Sequence, residues 1–179
     1  MRADDTLSCE LLEAARLAAV GHDGQKRKGS GHPYLVHPLR VARRALLGQL
    51  PAYADRRVIG LAAVLHDTLE DTDISAEQLA RSFGARVASV VEELTQDASL
   101  PRFERRKKMV DGCGSYSLEA RIVKLADRWD NMSEMGEAFG PEFTTRYCAE
   151  ASVMIENMKG SWPEAERAIA AIIAGYAET

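Results

Sequence analysis

The stretch "AAVLHDTLEDT" at 62–72 runs an apolar segment straight into one imidazole and a cluster of acids: His66, Asp67, Glu70, Asp71 and, just beyond, Asp73. Charged groups leaving a core need a partner, a metal or water. On a helix, residues four apart share a face, which stacks His66 with Glu70 and Asp67 with Asp71. Adjacent His66 and Asp67 point about 100° apart, so both can reach one ion lying between their directions. Acids at a helix C-terminus oppose the dipole and ask for a compensating cation. Two ligands make a weak centre, and two further residues offer help. His37, in "PYLVHPL", is fixed beside Pro38 at a loop-to-helix junction. Asp127, in "VKLADRWDN", belongs to a polar stripe with Lys124, Arg128 and Asn131 at i, i+3, i+4 and i+7, a pattern suited to a polar cavity. Singly, each has a plainer explanation: a capping His, a surface ion pair worth little, the polar end of a helix. Together, two His and two Asp arriving on three helices favour a metal site, and mixed imidazole and carboxylate donors suit a divalent ion of intermediate hardness.

Helical periodicity supplies the elements that must position them. "SCELLEAARLAAVGH" has Ser8 as its cap and Gly21 as its stop. "HPLRVARRALLGQL" follows. "DRRVIGLAAVLHDTLEDT" is the most apolar and is expected as one central helix. "SAEQLARSFG" opens with a capping box from Ser75 to Gln78, and "ARVASVVEELTQ" comes almost at once. "SLEARIVKLADRWDNMSEM" is capped by Ser117, and amphipathic stretches near 141–159 and 163–177 close the chain, the last with Pro163 at a helix start. No segment alternates as a strand does. The expectation is one all-α domain over 1–179, a bundle of roughly eight helices.

Net charge argues against a nucleic-acid partner: Lys plus Arg is 23, Asp plus Glu is 27, and the balance is −4. The local basic runs "KRK" at 26–28 and "RFERRKK" at 102–108 suit a compact anionic ligand, or else a solvated face. Cys9, Cys113 and Cys148 are odd in number without CxxC spacing, the usage of reduced thiols rather than a disulfide framework or zinc knuckle. The opening "MRADDTLSCE" is too acidic for a signal peptide, and no apolar run approaches the roughly 18 residues that span a bilayer. A cytoplasmic protein with no membrane partner is expected.

The order His37, His66–Asp67, Asp127 resembles the H…HD…D pattern of the HD-domain metal-dependent phosphohydrolases. "GQKRKGSGHPYLVHPLRVA", "VLHDTLEDT" and "KLADRWDN" narrow the resemblance to the RelA/SpoT hydrolase domain, and "LPRFERRKK" with "SLEARIVKLAD" is most similar to the stand-alone small alarmone hydrolases. It runs from about Ala15 to Asn131; the C-terminal helices add little to it.

That resemblance implies an HD-domain helical bundle and removal of the 3′-pyrophosphate of guanosine 3′,5′-bis(diphosphate), the stringent-response alarmone, giving GDP or GTP plus pyrophosphate with Mn²⁺ as cofactor. It implies His37, His66, Asp67 and Asp127 as metal ligands, and Glu70 and Asp71 as the pair that positions and deprotonates water. Arg27 and Lys28 would contact the nucleotide, and Asn131 the ribose and 3′-phosphate. Arg105, Arg106 and Lys108 would hold the distal 5′-phosphates, with Lys124 close behind the ligands. Two positions depart from the family pattern. His32 stands where an acid is more usual, and Asp130 stands where His or Tyr is usual, which would bring a negative charge near the substrate. The length leaves no space for the synthetase and regulatory domains of the bifunctional members, so hydrolysis alone is expected. Two other readings compete: an HD phosphohydrolase for another nucleotide, such as an adenosine alarmone or phosphorylated dinucleotide, and a nucleotide-binding sensor without turnover.

Overall fold

A computed structural model of the protein describes residues 3–136 and 139–177. Helices account for its regular structure: α1 (Ala3–Gly21), α2 (Val36–Leu47), α3 (Arg56–Leu65), α4 (Thr68–Asp71), α5 (Ala76–Phe83), α6 (Ala85–Leu94), α7 (Arg102–Gly112), α8 (Leu118–Ser133), α9 (Pro141–Asn157) and α10 (Pro163–Ala177). Among the described residues, pairing of extended chain is limited to one bridge, Lys26 to Pro33. No helix among the described residues is long and apolar enough to cross a membrane.

Local chemistry explains most of the boundaries. Asp55 accepts from the Val58 amide, Ser75 from that of Gln78 and Ser117 from that of Ala120, each satisfying an amide that a helix start leaves unpaired. Pro141 and Pro163 open α9 and α10, where a missing N–H costs nothing. Every residue of α3 from Val58 to Leu65 is buried. That helix packs against α1, α2, α6 and α8, and α10 covers the outer side of α8.

Two expectations change, and one helix was not anticipated. α1 begins at Ala3, so Ser8 lies inside the helix rather than capping it. The basic run at 102–108 is the body of α7, a helix that its few apolar residues conceal from a periodicity reading. The central helix is interrupted at His66–Asp67. The Thr68 hydroxyl donates to the Leu65 carbonyl (2.6 Å) and that of Thr72 to the Thr68 carbonyl (2.6 Å). Asp67 consequently caps the short α4, and Glu70 and Asp71 do not sit on the C-terminus of a long helix.

Candidate metal centre and its cavity

Three separate elements deliver the donors. His37 lies in the first turn of α2, His66 and Asp67 form the break between α3 and α4, and Asp127 projects from the middle of α8. One donor atom each from His37, His66 and Asp127 fall within 4.8 Å of one another, and all three residues are buried. His37 Nε2 is 3.2 Å from Asp127 Oδ1 and 3.8 Å from Asp67 Oδ2. His66 Nε2 is 3.0 Å from Asp67 Oδ2, at ion-pair distance yet out of hydrogen-bond alignment, so this buried nitrogen has no hydrogen-bond partner.

The far side of each ring is anchored. His66 Nδ1 meets the Ala63 carbonyl at 2.9 Å, and His37 Nδ1 meets Asp130 Oδ2 at 2.9 Å. A proton on Nδ1 at these contacts would leave each Nε2 with its lone pair toward the centre and open to a cation, as in metal-ligating histidines. Asp67 Oδ2 also accepts from the Tyr34 hydroxyl (2.6 Å), and Asp127 receives Lys124 Nζ (3.0 Å) and Asn131 Nδ2 (2.5 Å). Two aimed imidazole nitrogens facing two carboxylates, one nitrogen orphaned, fit a divalent cation.

Titration follows the same crowding. Burial works against charging His66, but Asp67 and Asp127 outweigh it and raise the ring to about 9. Burial likewise opposes ionisation of Asp127, but Lys124, His37 and His66 hold it well below the usual carboxylate range. Glu70 and Asp71 move the other way. Burial pushes both up; the Gln96 amide, 3.2 Å from Glu70 Oε2, partly offsets this for Glu70, while the neighbouring carboxylates add to it.

The centre opens into a cavity of about 540 Å³. His37, Asp67 and Asp127 form part of its wall, with Glu70 and Asp71 beside them and Arg27, Arg105, Arg106, Lys124 and Asn131 also lining it. Arg27 is steered there by the 24–34 turn, where Gly29 (φ 96°) and Gly31 (φ 70°) take left-handed conformations that let Lys26 pair with Pro33. Its guanidinium donates to Asn131 Oδ1 (2.7 Å) and Glu134 Oε2 (3.0 Å). His66 sits behind the wall rather than on it. Lys28 lines an adjoining cavity of about 700 Å³ that shares Arg102, Arg106 and Phe143 with the first. Lys108 points away from both, 3.8 Å from Asp97, and His32 is exposed on the turn.

Several cavity residues escaped the sequence reading. Tyr34 stood inside the "HPYLVH" motif, three residues before His37, and Arg102 stood inside "LPRFERRKK". Phe143 and Tyr147, four apart on α9, line the cavity as well, with Arg128 3.9 Å from the Tyr147 ring centroid. The expectation for Asp130 is corrected. Its side chain is 1% exposed and lies beneath the centre, bound to His37, Arg40 and Arg44, so its charge is spent on the protein and not presented to the cavity. Burial opposes ionisation, yet His37 and Arg40 hold the Asp130 carboxyl down at about 2.

An all-helical fold with a buried His–Asp centre on three helices defines a class, and residues 14–155 match it: the chain belongs to the HD-domain family. Within that family it is 38% identical over 156 residues to the guanosine-3′,5′-bis(diphosphate) 3′-pyrophosphohydrolase MESH1 of Danio rerio, covering 84% of this chain and 85% of that protein. The MESH1 of Homo sapiens, of the same description, is 36% identical over 167 residues, 90% and 92% of the two chains. A solved structure of a metazoan ortholog of SpoT, described as hydrolysing ppGpp with a role in starvation responses, superposes with a TM-score of 0.83 at 29% identity, covering 93% of this chain and 94% of that one.

Proposed function

We propose that the protein is a Mn²⁺-dependent guanosine-3′,5′-bis(diphosphate) 3′-pyrophosphohydrolase, one HD-type domain that works in the cytoplasm on a small nucleotide. In this reaction ppGpp and water give GDP and pyrophosphate, and pppGpp gives GTP and pyrophosphate. One observation carries the reading: a single cavity has the His37, Asp67 and Asp127 centre, two carboxyls of raised pKa, and five arginines and one lysine on its walls. The relatives named for this reaction, similar over most of their length, support it.

His37, His66, Asp67 and Asp127 are the side chains that would hold the cation; when bound, it supplies Lewis-acid polarisation of a phosphoryl oxygen and acidifies water. Glu70 is the better placed of the two acids to take a proton from the attacking water. Its Oε2 is fixed by the Gln96 amide, leaving Oε1 for the water, and its raised pKa brings its basicity nearer to neutral pH. Asp71 assists from the rim. The Arg27 guanidinium, already oriented by Asn131 and Glu134, offers a planar face to a purine and donors to phosphate. Lys124 keeps Asp127 ionised, and Arg105 and Arg106 face the remaining phosphates across the cavity. Lys28 and Lys108 stand farther out and act through long-range attraction on the approaching anion.

The direct test is hydrolysis of guanosine tetraphosphate by metal-stripped protein, with and without Mn²⁺, beside Asp67→Ala. Release of GDP and pyrophosphate in equal amounts, dependent on Mn²⁺ and lost in the variant, is the expected result. Absence of turnover by the Mn²⁺-loaded wild type overturns the guanosine assignment, and adenosine alarmones and phosphorylated dinucleotides are then the substrates to examine.

A further inference from the structure

The two histidines of the centre are oriented by different means. His66 leans on a backbone carbonyl, which no substitution removes. His37 leans on a side chain, Asp130, and that carboxylate is itself gripped. Arg40 Nε lies 3.0 and 3.1 Å from its two oxygens, Arg40 Nη2 3.0 Å from Oδ2, and Arg44 Nε 3.2 Å from Oδ1. The arginines are held in turn, Arg40 by Glu134 and Arg44 by the face of Trp129 at 4.6 Å. We infer that Asp130, clamped by Arg40 and Arg44, is a positioning residue that fixes the ring orientation and tautomer of His37, and thereby sets the metal affinity of the centre.

The physical case rests on what each atom can do. An imidazole ligates through the nitrogen without a proton, so an anionic acceptor at Nδ1 commits Nε2 to the centre. A carboxylate makes that commitment more strongly than a neutral acceptor, because the hydrogen bond is charge-assisted. A carboxylate buried this completely needs compensating cations, which the two arginines supply from the next two turns of His37's own helix. Two cations also fix the carboxylate in position, since each oxygen is bound from two directions. The residue therefore acts through His37 and touches neither substrate nor reacting atoms.

This inference rests on the reading of the cluster as a metal centre, so its test separates the two. In ¹⁵N-labelled metal-free protein, long-range nitrogen–proton correlation at a pH where the ring is neutral reports the tautomer of His37 directly. The expected wild-type result is the proton on Nδ1. In Asp130→Asn, with helicity retained, the His37 signals shift toward a mixture while those of His66 do not. Mn²⁺ affinity, read from the free-ion resonance in paramagnetic spectra, is expected to fall about 10- to 100-fold in that variant. Should Asp130→Asn fail to fold, Arg44→Gln keeps the carboxylate and loosens one side of the clamp, and a smaller loss of affinity in the same direction is expected. A proton on Nε2 of His37 in the wild type, or Mn²⁺ binding within about twofold of wild type in a folded Asp130→Asn, overturns the inference. Wild-type protein that takes up no Mn²⁺ overturns the metal centre itself, and the assignment of an affinity role to Asp130 with it.

Discussion

Gly48→Ala tests how closely the outer layer of the bundle is fitted against the helix that carries His37. Gly48 follows α2 with φ −75° and ψ 163°, a conformation open to any residue, so the substitution carries no backbone strain. Its only consequence is a collision. A Cβ at this position lies 2.2 Å from Trp162 Cζ2, 3.0 Å from Cε2 and 3.1 Å from the Arg44 carbonyl, where ordinary contact begins at 3.4 Å. The indole must therefore retreat by about 1.2 Å, the difference between 3.4 and 2.2 Å. It has nowhere to go: Trp162 is fully buried and meets Trp129 edge-on at 5.9 Å. Overpacking of this kind costs about 1–3 kcal/mol, and the lower entropy of an unfolded chain with Ala in place of Gly returns about 0.4–1 kcal/mol. A net loss near 1–2 kcal/mol lowers Tm by roughly 2–8 °C in a chain of this size. Because Trp129 also backs Arg44, which holds Asp130, the displacement should loosen the His37 clamp and weaken Mn²⁺ binding alongside. Thermal denaturation of metal-free protein by circular dichroism gives the first number and Mn²⁺ titration the second. Gly175→Ala is the matched control, since a Cβ there meets nothing within 4 Å. A Gly48→Ala melting point within about 1 °C of wild type would show that the indole yields freely, and the steric reasoning would fail.

Glu70→Gln should lower kcat by about 10²–10⁴-fold while leaving Mn²⁺ affinity near wild type, because Glu70 lies outside the donor cluster. In the wild type, burial raises Glu70, so kcat/KM should decline on the acid side at a higher pH than an ordinary glutamate gives, and steady-state profiles of the two proteins check both points. The metal-free protein should be acid-labile through Asp130. Its carboxyl titrates at about 2 when folded against 3.8 as the ordinary value, so its contribution is complete above pH 3.8 and lost as pH falls through 2. That contribution is worth roughly 2 kcal/mol. Urea midpoints between pH 5 and pH 2 should drop more steeply in the wild type than in Asp130→Asn, and parallel curves would count against the assignment.

Where residues announce their partners by type and spacing, the sequence was readable. The capped helices at Ser75 and Ser117, the Pro163 start and the apolar centre of the bundle all follow from local rules. The convergence of His37, Asp67 and Asp127 on one cavity was legible because a motif order, not a local pattern, pointed to it. Two kinds of feature were hidden. α7 buries only Met109 and Val110, so no hydrophobic period marks it, and its position is set by ion pairs such as Arg106 with Glu150 that join it to α9. Asp130 looked outward because it precedes Asn131, a cavity residue; but neighbours on a helix diverge by about 100°, and that rotation turns Asp130 down onto Arg40 and Arg44 instead.

The interrupted central helix also answers why the chain tolerates acids directly after "AAVLH". On an unbroken helix Glu70 and Asp71 would burden a negative C-terminal end. The break removes that difficulty. Asp67 Oδ2 stays within 3.0 Å of His66 Nε2, and the remaining acids pass to the first turn of a new, short helix. A break inside a core ordinarily exposes carbonyls that have lost their helical donors, and each such buried group left unpaired costs about 1–3 kcal/mol. Thr68 and Thr72 meet that cost with their hydroxyls, Thr68 while fully buried. The threonine after His-Asp is therefore part of the centre's construction: its hydroxyl satisfies the Leu65 carbonyl where the helix is interrupted beside the donors. The residual repulsion among Asp67, Glu70, Asp71 and Asp127 is then concentrated on a single spot, and that is the condition under which a divalent cation is bound most strongly.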